Sequence, residues 1–379
     1  MSVWDAVVGQ QSVVEQLQQA ALNNRSMSHA WLFTGPPGSG RSVAAKAFAA
    51  ALECETQTGC GQCQQCKMVR AGTHPDVQQV TTELVTIKME EVKALVQTAA
   101  ARPTVGRYRI ILMEDADRMT DRTVNVLLKA IEEPTPKTVW LLCAPTPQDV
   151  LPTIRSRCRI VTLQTSSAEA VAALLVREGA DPDRALAAAR ASQSHVGRAR
   201  WLAFDPNGAA RRQATLDLIA NNRTVPGAFL KAGELADLAK SEADEANGQR
   251  NLKEREALAV ALGLSEKDPI PPKLRSQFKD LEDDQKRRDR RGQADVLHRV
   301  FMDFMSVFRD VLMVQLGAQV DLINADSRSS ATLINLLAQT LSPAQTLGKV
   351  EAIKSAQSRI EQNVPVPLAL EALFVALRW

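Results

Sequence analysis

Residues 35–42 read Gly35-Pro36-Pro37-Gly38-Ser39-Gly40-Arg41-Ser42, and this stretch constrains the fold more tightly than any other in the chain. Glycine, four residues, glycine, a basic residue and a hydroxyl form a loop whose successive backbone N–H groups surround phosphates. Such a loop works between a strand and a helix, because the helix N-terminus adds its positive dipole end to the cradle. Both flanks fit. His29 to Phe33 is a short apolar run, and residues 40–53 are alanine-rich and read as a helix. Arg41 stands where the pattern wants lysine. It keeps the charge, but its guanidinium is longer, planar and forked, so it does not occupy the place of a compact ammonium. The expectation is a nucleotide site in which residues 35–42 hold ATP or ADP and Ser42 holds Mg²⁺, with turnover in doubt. A plain Gly/Pro turn is the competing reading.

The pattern beyond the loop alternates. Arg107 to Met113 and Thr138 to Cys143 are apolar runs of strand length, and Arg159 to Leu163 is a third. Residues 121–132 place Val124, Leu127, Leu128 and Ile131 on one helical face. Strands alternating with helices predict an α/β fold with a mostly parallel sheet covered on both faces. From about residue 166 the strand signal vanishes. Ser167 to Gly179 and Asp181 to Ala191 read as two short helices. After about residue 207 the pattern is all-helical. The charged segment 240–295 reads as a long helix pair broken near Pro269, Pro271 and Pro272. Residues 293–316 carry a broad Met/Phe-rich stripe, which predicts core or subunit interface.

A second acidic element is needed beside a phosphate loop. Residues 110–117 supply Glu114 and Asp115 at the end of an apolar run. The usual order is Asp then Glu, with the first on the metal and the second on the attacking water. The reversed order moves each carboxylate by one methylene, and a displacement of about 1 Å can cost on the order of a hundredfold in rate. A solvated acidic loop with Asp117 and Thr120 as helix caps is the alternative.

Cys54, Cys60, Cys63 and Cys66 fall within thirteen residues, with Gly59 and Gly61 between them to allow a sharp turn. Four soft ligands suit a closed tetrahedral zinc site. Free thiols or a redox pair are the alternatives. Cys143 and Cys158 lie in expected strands and read as core, and His74 reads as part of a turn.

Composition narrows the function classes. Net charge is only +3 over 379 residues, so any nucleic-acid contact must be local. Aromatic residues make up 4%, with Tyr108 the one tyrosine, which argues against base-stacking platforms. No apolar run reaches membrane-spanning length, and the start Met1-Ser2-Val3-Trp4-Asp5 lacks a signal-peptide pattern. A cytoplasmic protein with reduced thiols and no membrane partner is expected. In Lys286-Arg287-Arg288-Asp289-Arg290-Arg291, preceded by Asp280, Glu282, Asp283 and Asp284, opposite charges at helical spacing predict a solvated face.

Taken together, Val8-Gly9-Gln10, His29 to Phe33, the phosphate loop, the cysteine cluster, Asn125 to Pro134 and Leu151 to Cys158 resemble the bacterial clamp-loader subunits of DNA polymerase III, which are AAA+ proteins. The resemblance covers at least residues 5–165. One departure is the gap between Cys54 and Cys60, which is shorter than is usual there. The resemblance implies an AAA+ P-loop NTPase domain at 1–165 with an inserted zinc module at 54–66. A helical lid at 166–207 and an all-α collar at 208–379 would follow. It also implies that Arg157, in Ser156-Arg157-Cys158, is an arginine finger acting on the ATP of a neighbouring subunit. Arg41, the Glu114-Asp115 order, Ala144-Pro145 where threonines are usual, and Gly197 (with Arg198 one step on) where a lid arginine is usual all point to a non-motor member. Its partners would be the motor (gamma/tau) and delta subunits in a hetero-pentamer, a sliding clamp, and primer-template DNA contacted through the assembly. Two rivals stand beside it: an active motor ATPase of the same family, and a zinc-dependent interaction or nucleic-acid module with a vestigial phosphate loop.

Overall fold

The computed structural model describes residues 2–23, 26–80, 87–262, 264, 271, 274–325 and 327–379. The chain divides into two compact units, Met1–Asp205 and Pro206–Trp379.

The first unit is built on strands β1 (Ala30–Thr34), β2 (Val77–Val80), β3 (Arg109–Met113), β4 (Thr138–Ala144) and β5 (Arg159–Thr162). They form one sheet in the order β2-β3-β4-β1-β5, with all neighbours parallel. Its helices are α1 (Gln11–Leu22), α2 (Arg41–Glu53), α3 (Gln64–Ala71), α4 (Met89–Ala100), α5 (Asp121–Glu132), α6 (Pro152–Arg155), α7 (Ala168–Arg177), α8 (Pro182–Ala191) and α9 (Val196–Phe204).

The three central strands read as unbroken apolar runs because both their faces are covered. β1 sends Trp31 and Phe33 into a core with α1 and α2, and Ala30 and Leu32 into a second core with α4, α5 and α6. β4 does the same, with Leu141 and Cys143 on one side and Trp140 and Leu142 on the other. The alanine content of α2 follows from this layering. Ala44, Ala45, Ala47, Ala49, Ala50 and Ala51 are all buried, which lets the helix lie close to the sheet. Phe48 and Leu52 supply its large side chains there, with Phe48 edge-on to Trp31 at 4.9 Å.

Three local readings are corrected. β2 and α4 were not anticipated: Val77-Gln78-Gln79-Val80 is a half-exposed edge strand with no alternation to betray it. Cys158 lies in the turn before β5 rather than in a strand, while Cys143 is in the core. Thr120 does cap α5, accepting from the Thr123 amide at 3.4 Å, but Asp117 lies inside a 3-10 turn, Ala116–Arg118.

The junction into β3 is organised by Asp76, which is fully buried. Its carboxylate accepts from the amides of Thr104, Val105 and Gly106, each at 2.7 Å, and pairs with Arg109 at 3.2 Å. Burial alone would push its pKa up. The hydrogen bonds from Gly106, Val105 and Thr104 outweigh that and bring it down to about 2. Because the folded value lies below the unfolded one (about 3.9), the contribution is complete above pH 5 and is lost as pH falls toward 2. Asp76→Asn should therefore lower urea-derived stability by about 3 kcal/mol at pH 7, and the gap from wild type should narrow steadily below pH 4. A gap that is independent of pH would show that the carboxylate charge is not what holds this junction.

After β5 the unit becomes helical, as expected. α7, α8 and α9 close on a small core that includes Val171, Leu175, Ala185, Ala189, Ala199 and Leu202. The second unit contains α10 (Gly208–Ala220), α11 (Val225–Ala261), α12 (Arg275–Gln315), α13 (Arg328–Thr340), α14 (Pro343–Glu361) and α15 (Val366–Leu377). The Met/Phe-rich stripe lies on α12. Its Phe301, Phe304 and Phe308 are buried, and Phe304 meets Phe374 of α15 edge-on. The charged segment falls on the ends of α11 and α12. Pro269 and Pro272 lie outside the described residues, and Pro271 sits in the connection. Polar pairs join the two helices there: Asn247 to Asp289 at 3.0 Å, and Arg288 to Glu254 at 2.9 Å. Lys286, Arg287 and Arg291 pair with Asp283, Asp284 and Asp295 along their own helix, so the basic run is a solvated, charge-balanced face.

Candidate functional site

The phosphate loop follows β1 directly. Gly35 donates to the Pro145 carbonyl at 3.0 Å, which ties the loop to the end of β4. Gly38 and Gly40 have φ values of +86° and +87°, a region that favours glycine. Gly40 is the N-cap of α2, so the helix N-terminus opens beneath the loop. At this loop the Ser39 hydroxyl and one terminal nitrogen of Arg41 (Nη1) are buried with no hydrogen-bond partner. Buried polar groups are normally satisfied. Two orphaned donors at a helix N-terminus suit an anion placed between them, so the residues present fit the phosphates of a nucleotide.

The acidic pair ends β3, on the same edge of the sheet as the loop. Neither carboxylate is idle. Glu114 accepts from Gln79 on the edge strand, and Asp115 pairs with Arg118 at 3.8 Å. Arg41 is near enough to Asp117 to lower the pKa that burial raises. A contact that the sequence did not reveal comes from α9. His195 packs so closely on the loop that a Cβ at Gly38 would lie 2.8 Å from the His195 Cβ. Its Nδ1 accepts from the Arg198 amide at 3.3 Å and caps α9, and burial lowers its pKa, which keeps the ring neutral. No spacing pattern links residues 38 and 195, so only the tertiary fold discloses the pair. Gly197 and Arg198, the residues set against the lid arginine, lie in the first turn of α9, and Arg198 is buried.

The cysteine cluster runs from the C-cap of α2 (Cys54) into the first turn of α3 (Cys66). The four sulfur atoms are within 4.8 Å of one another. Tetrahedral thiolates about 2.3 Å from zinc sit about 3.8 Å apart, so the spacing suits that ion. Amides of Cys60, Cys63 and Cys66 donate to the sulfurs of Cys54, Cys60 and Cys63 at 3.4 Å. Burial pushes the Cys54 thiol up, but hydrogen bonds from Thr56 and from the Cys60 amide bring it down to about 5, which favours the thiolate. The donor set therefore fits zinc. His74 is engaged elsewhere, with Gln65 at 2.6 Å and the Asp76 amide at 3.1 Å. The loop also clasps the N-terminus: the Val3 amide and Ser2 hydroxyl donate to the Gly59 carbonyl, and Trp4 donates to Thr58.

Arg157 lies elsewhere. β5 begins at Arg159, which pairs in register with Trp31 at the start of β1, and Thr162 pairs with Thr34 just before the phosphate loop. Arg157 therefore stands at the opposite edge of the sheet from its own loop, about 15 Å along a strand of this length. Its neighbours are committed to structure. Arg155 donates to the Pro147 carbonyl, and Arg159 donates to the Ser26 carbonyl and covers the Trp31 ring at 4.8 Å. Arg157 is 40% exposed and pairs with Glu132 at 2.6 Å.

Gln10 holds the start of the unit to its end. Its amide donates to the Gln164 carbonyl at 2.5 Å and accepts from the Gln164 amide at 3.2 Å. Among the described residues, no helix is long and apolar enough to cross a membrane.

Comparison with known proteins finds relatives of this chain. The family described as "DNA polymerase III, delta subunit" matches residues 9–167. DNA polymerase III subunit delta' of Pseudomonas aeruginosa is 38% identical over 136 residues, 35% of this chain and 42% of that one. DNA polymerase III subunit tau/gamma of Haemophilus influenzae is 31% identical over 224 residues, 57% of this chain and 32% of that one. For subunit delta' of Escherichia coli the figures are 32% identity over 189 residues, 48% and 57%. The chain thus spans between about a third and somewhat over half of the length of these relatives. Residues 9–167 thus resemble the DNA polymerase III delta-subunit family, and all three of these relatives are DNA polymerase III subunits.

Proposed function

We propose that this chain is the non-motor, delta-prime-type subunit of a DNA polymerase III clamp loader. In this reading it offers Arg157 to the ATP of a neighbouring motor subunit, and the assembly loads a sliding clamp on primed DNA. The observation that carries it is the position of Arg157: an exposed guanidinium at the sheet edge opposite its own phosphate loop, beside two arginines that are fastened to backbone and ring. Such a group can reach a partner's triphosphate and not its own. Residues 166–207 act as the lid and 208–379 as the collar that holds the subunits together. The Cys54, Cys60, Cys63 and Cys66 cluster holds a structural zinc.

The chain's own site binds nucleotide without turning it over. Ser39 and Arg41 offer donors to the phosphates, and Ser42 supplies a hydroxyl for Mg²⁺. When bound, Mg²⁺ would neutralise phosphate charge. The Glu114-Asp115 order and the engagement of Glu114 by Gln79 leave no carboxylate set for an attacking water.

Purified chain with Mg-ATP tests this. Turnover should be negligible, while ADP binding measured by calorimetry should weaken at least tenfold in Arg41→Ala, which removes a charge-assisted contact. Substantial turnover by the chain alone, abolished by Arg41→Ala and unaffected by Arg157→Ala, would establish the motor reading instead. Nucleic-acid binding lost only on zinc removal would favour the zinc module.

A further inference from the structure

We infer that Glu132 is a positioning residue for Arg157: it holds the finger in a rest position from which a neighbour's phosphate must draw it. This rests on the finger reading proposed above. The guanidinium is anchored from two sides. Nη1 donates to the Thr153 carbonyl at 2.8 Å and to the Ser156 hydroxyl at 3.2 Å, while Nη2 pairs with Glu132 at 2.6 Å. Most of the donors that would meet a phosphate are thus occupied within the chain.

The placement of Glu132 supports a role other than helix stability. It is the last residue of α5. A carboxylate there faces the negative end of the helix dipole and is disfavoured. The α5 C-terminus already has another partner, because His29 Nε2 lies 2.9 Å from the Ile131 carbonyl. What Glu132 gains is the guanidinium. Both side chains are 40% exposed, so the pair exchanges readily. A triphosphate next door carries more charge than one carboxylate and offers several acceptor oxygens, so it can displace Glu132. Without that triphosphate, Glu132 keeps the finger. Finger engagement thereby becomes conditional on the neighbour holding ATP.

The experiment uses the reconstituted assembly with substitutions in this chain only, reading ATP turnover at 50 and 300 mM KCl. Glu132→Gln removes the charge while keeping shape and hydrogen-bonding capacity. Turnover should rise two- to fivefold at low salt, the most that an exposed pair can withhold. The ratio of Glu132→Gln to wild type should fall toward one at high salt, because salt already loosens the wild-type pair. In the double variant with Arg157→Ala, Glu132→Gln should add nothing, since the two residues act as a unit. Turnover that is unchanged or lower in Glu132→Gln, with Arg157→Ala still damaging, would overturn the rest-position role and leave the finger intact. Arg157→Ala without effect would overturn both. A matching thermal midpoint for Glu132→Gln and wild-type chain confirms that the comparison reads positioning and not folding.

Discussion

Arg157→Ala in this chain alone should slow ATP hydrolysis at the one neighbouring site it serves by about a thousandfold, while hydrolysis at the other sites of the assembly continues. A guanidinium supplied in trans stabilises charge on the transferring phosphate, and its loss typically costs between about 10³ and 10⁵ in rate. Arg157→Lys should recover little, because an ammonium is shorter and lacks the planar fork. The control is Arg155→Ala. Arg155 holds the Pro147 carbonyl and has no free reach, so its loss should change stability and leave the chemical step nearly untouched. Single-turnover measurements on mixed assemblies, in which only one motor site can hydrolyse, separate the served site from the rest. The stator role fails if the served site runs at the wild-type rate with Arg157→Ala in place. It fails equally if every site slows together, because that pattern indicates faulty assembly.

The fold was legible where the chemistry was local. The phosphate loop announced β1 and α2, and the apolar runs placed β3, β4 and β5 within two residues of their observed ends. The pairing order β2-β3-β4-β1-β5 was not readable, because it depends on contacts between residues far apart in the chain. β2 escaped because an edge strand needs only one covered side, and its two glutamines hide it. The site shows the same division. Loop, acidic pair and cysteines stood out by spacing. The His195 contact with Gly38, the Asp76 hub beneath Thr104 to Gly106 and the Glu132 partner of Arg157 became visible only once the chain had folded. Each joins segments that no local periodicity connects. Glu132 was in plain view within the Asn125 to Pro134 stretch, yet the sequence gives no sign of what it touches.

Removing the metal should have the second large effect. Purified chain should contain one zinc by elemental analysis, and Cys66→Ser should abolish it, while Cys158→Ser, outside the cluster, should leave it in place. Loss of zinc should cost the first unit at least about 3 kcal/mol, or on the order of 10 °C in its midpoint for a unit of this size. The cost extends beyond the four sulfurs because of what their loop holds. The Gly59 carbonyl takes hydrogen bonds from Val3 and Ser2, Thr58 takes one from Trp4, and a Cβ at Gly59 would lie 2.6 Å from Val3 Cγ2. The 3-10 helix Val3–Ala6 is therefore seated on the turn that carries the cysteine cluster. Without the ion, four thiols crowded within 4.8 Å must each keep a proton or repel one another, and the turn opens. Hydrogen exchange should then quicken first at residues 2–6 and 54–66, with the central strands protected until global unfolding. Should chelation leave exchange at Val3 and Trp4 unchanged, the cluster does not brace the N-terminus, and hydrogen bonds such as those from the amides of Cys60, Cys63 and Cys66 to the neighbouring sulfurs hold the turn without an ion.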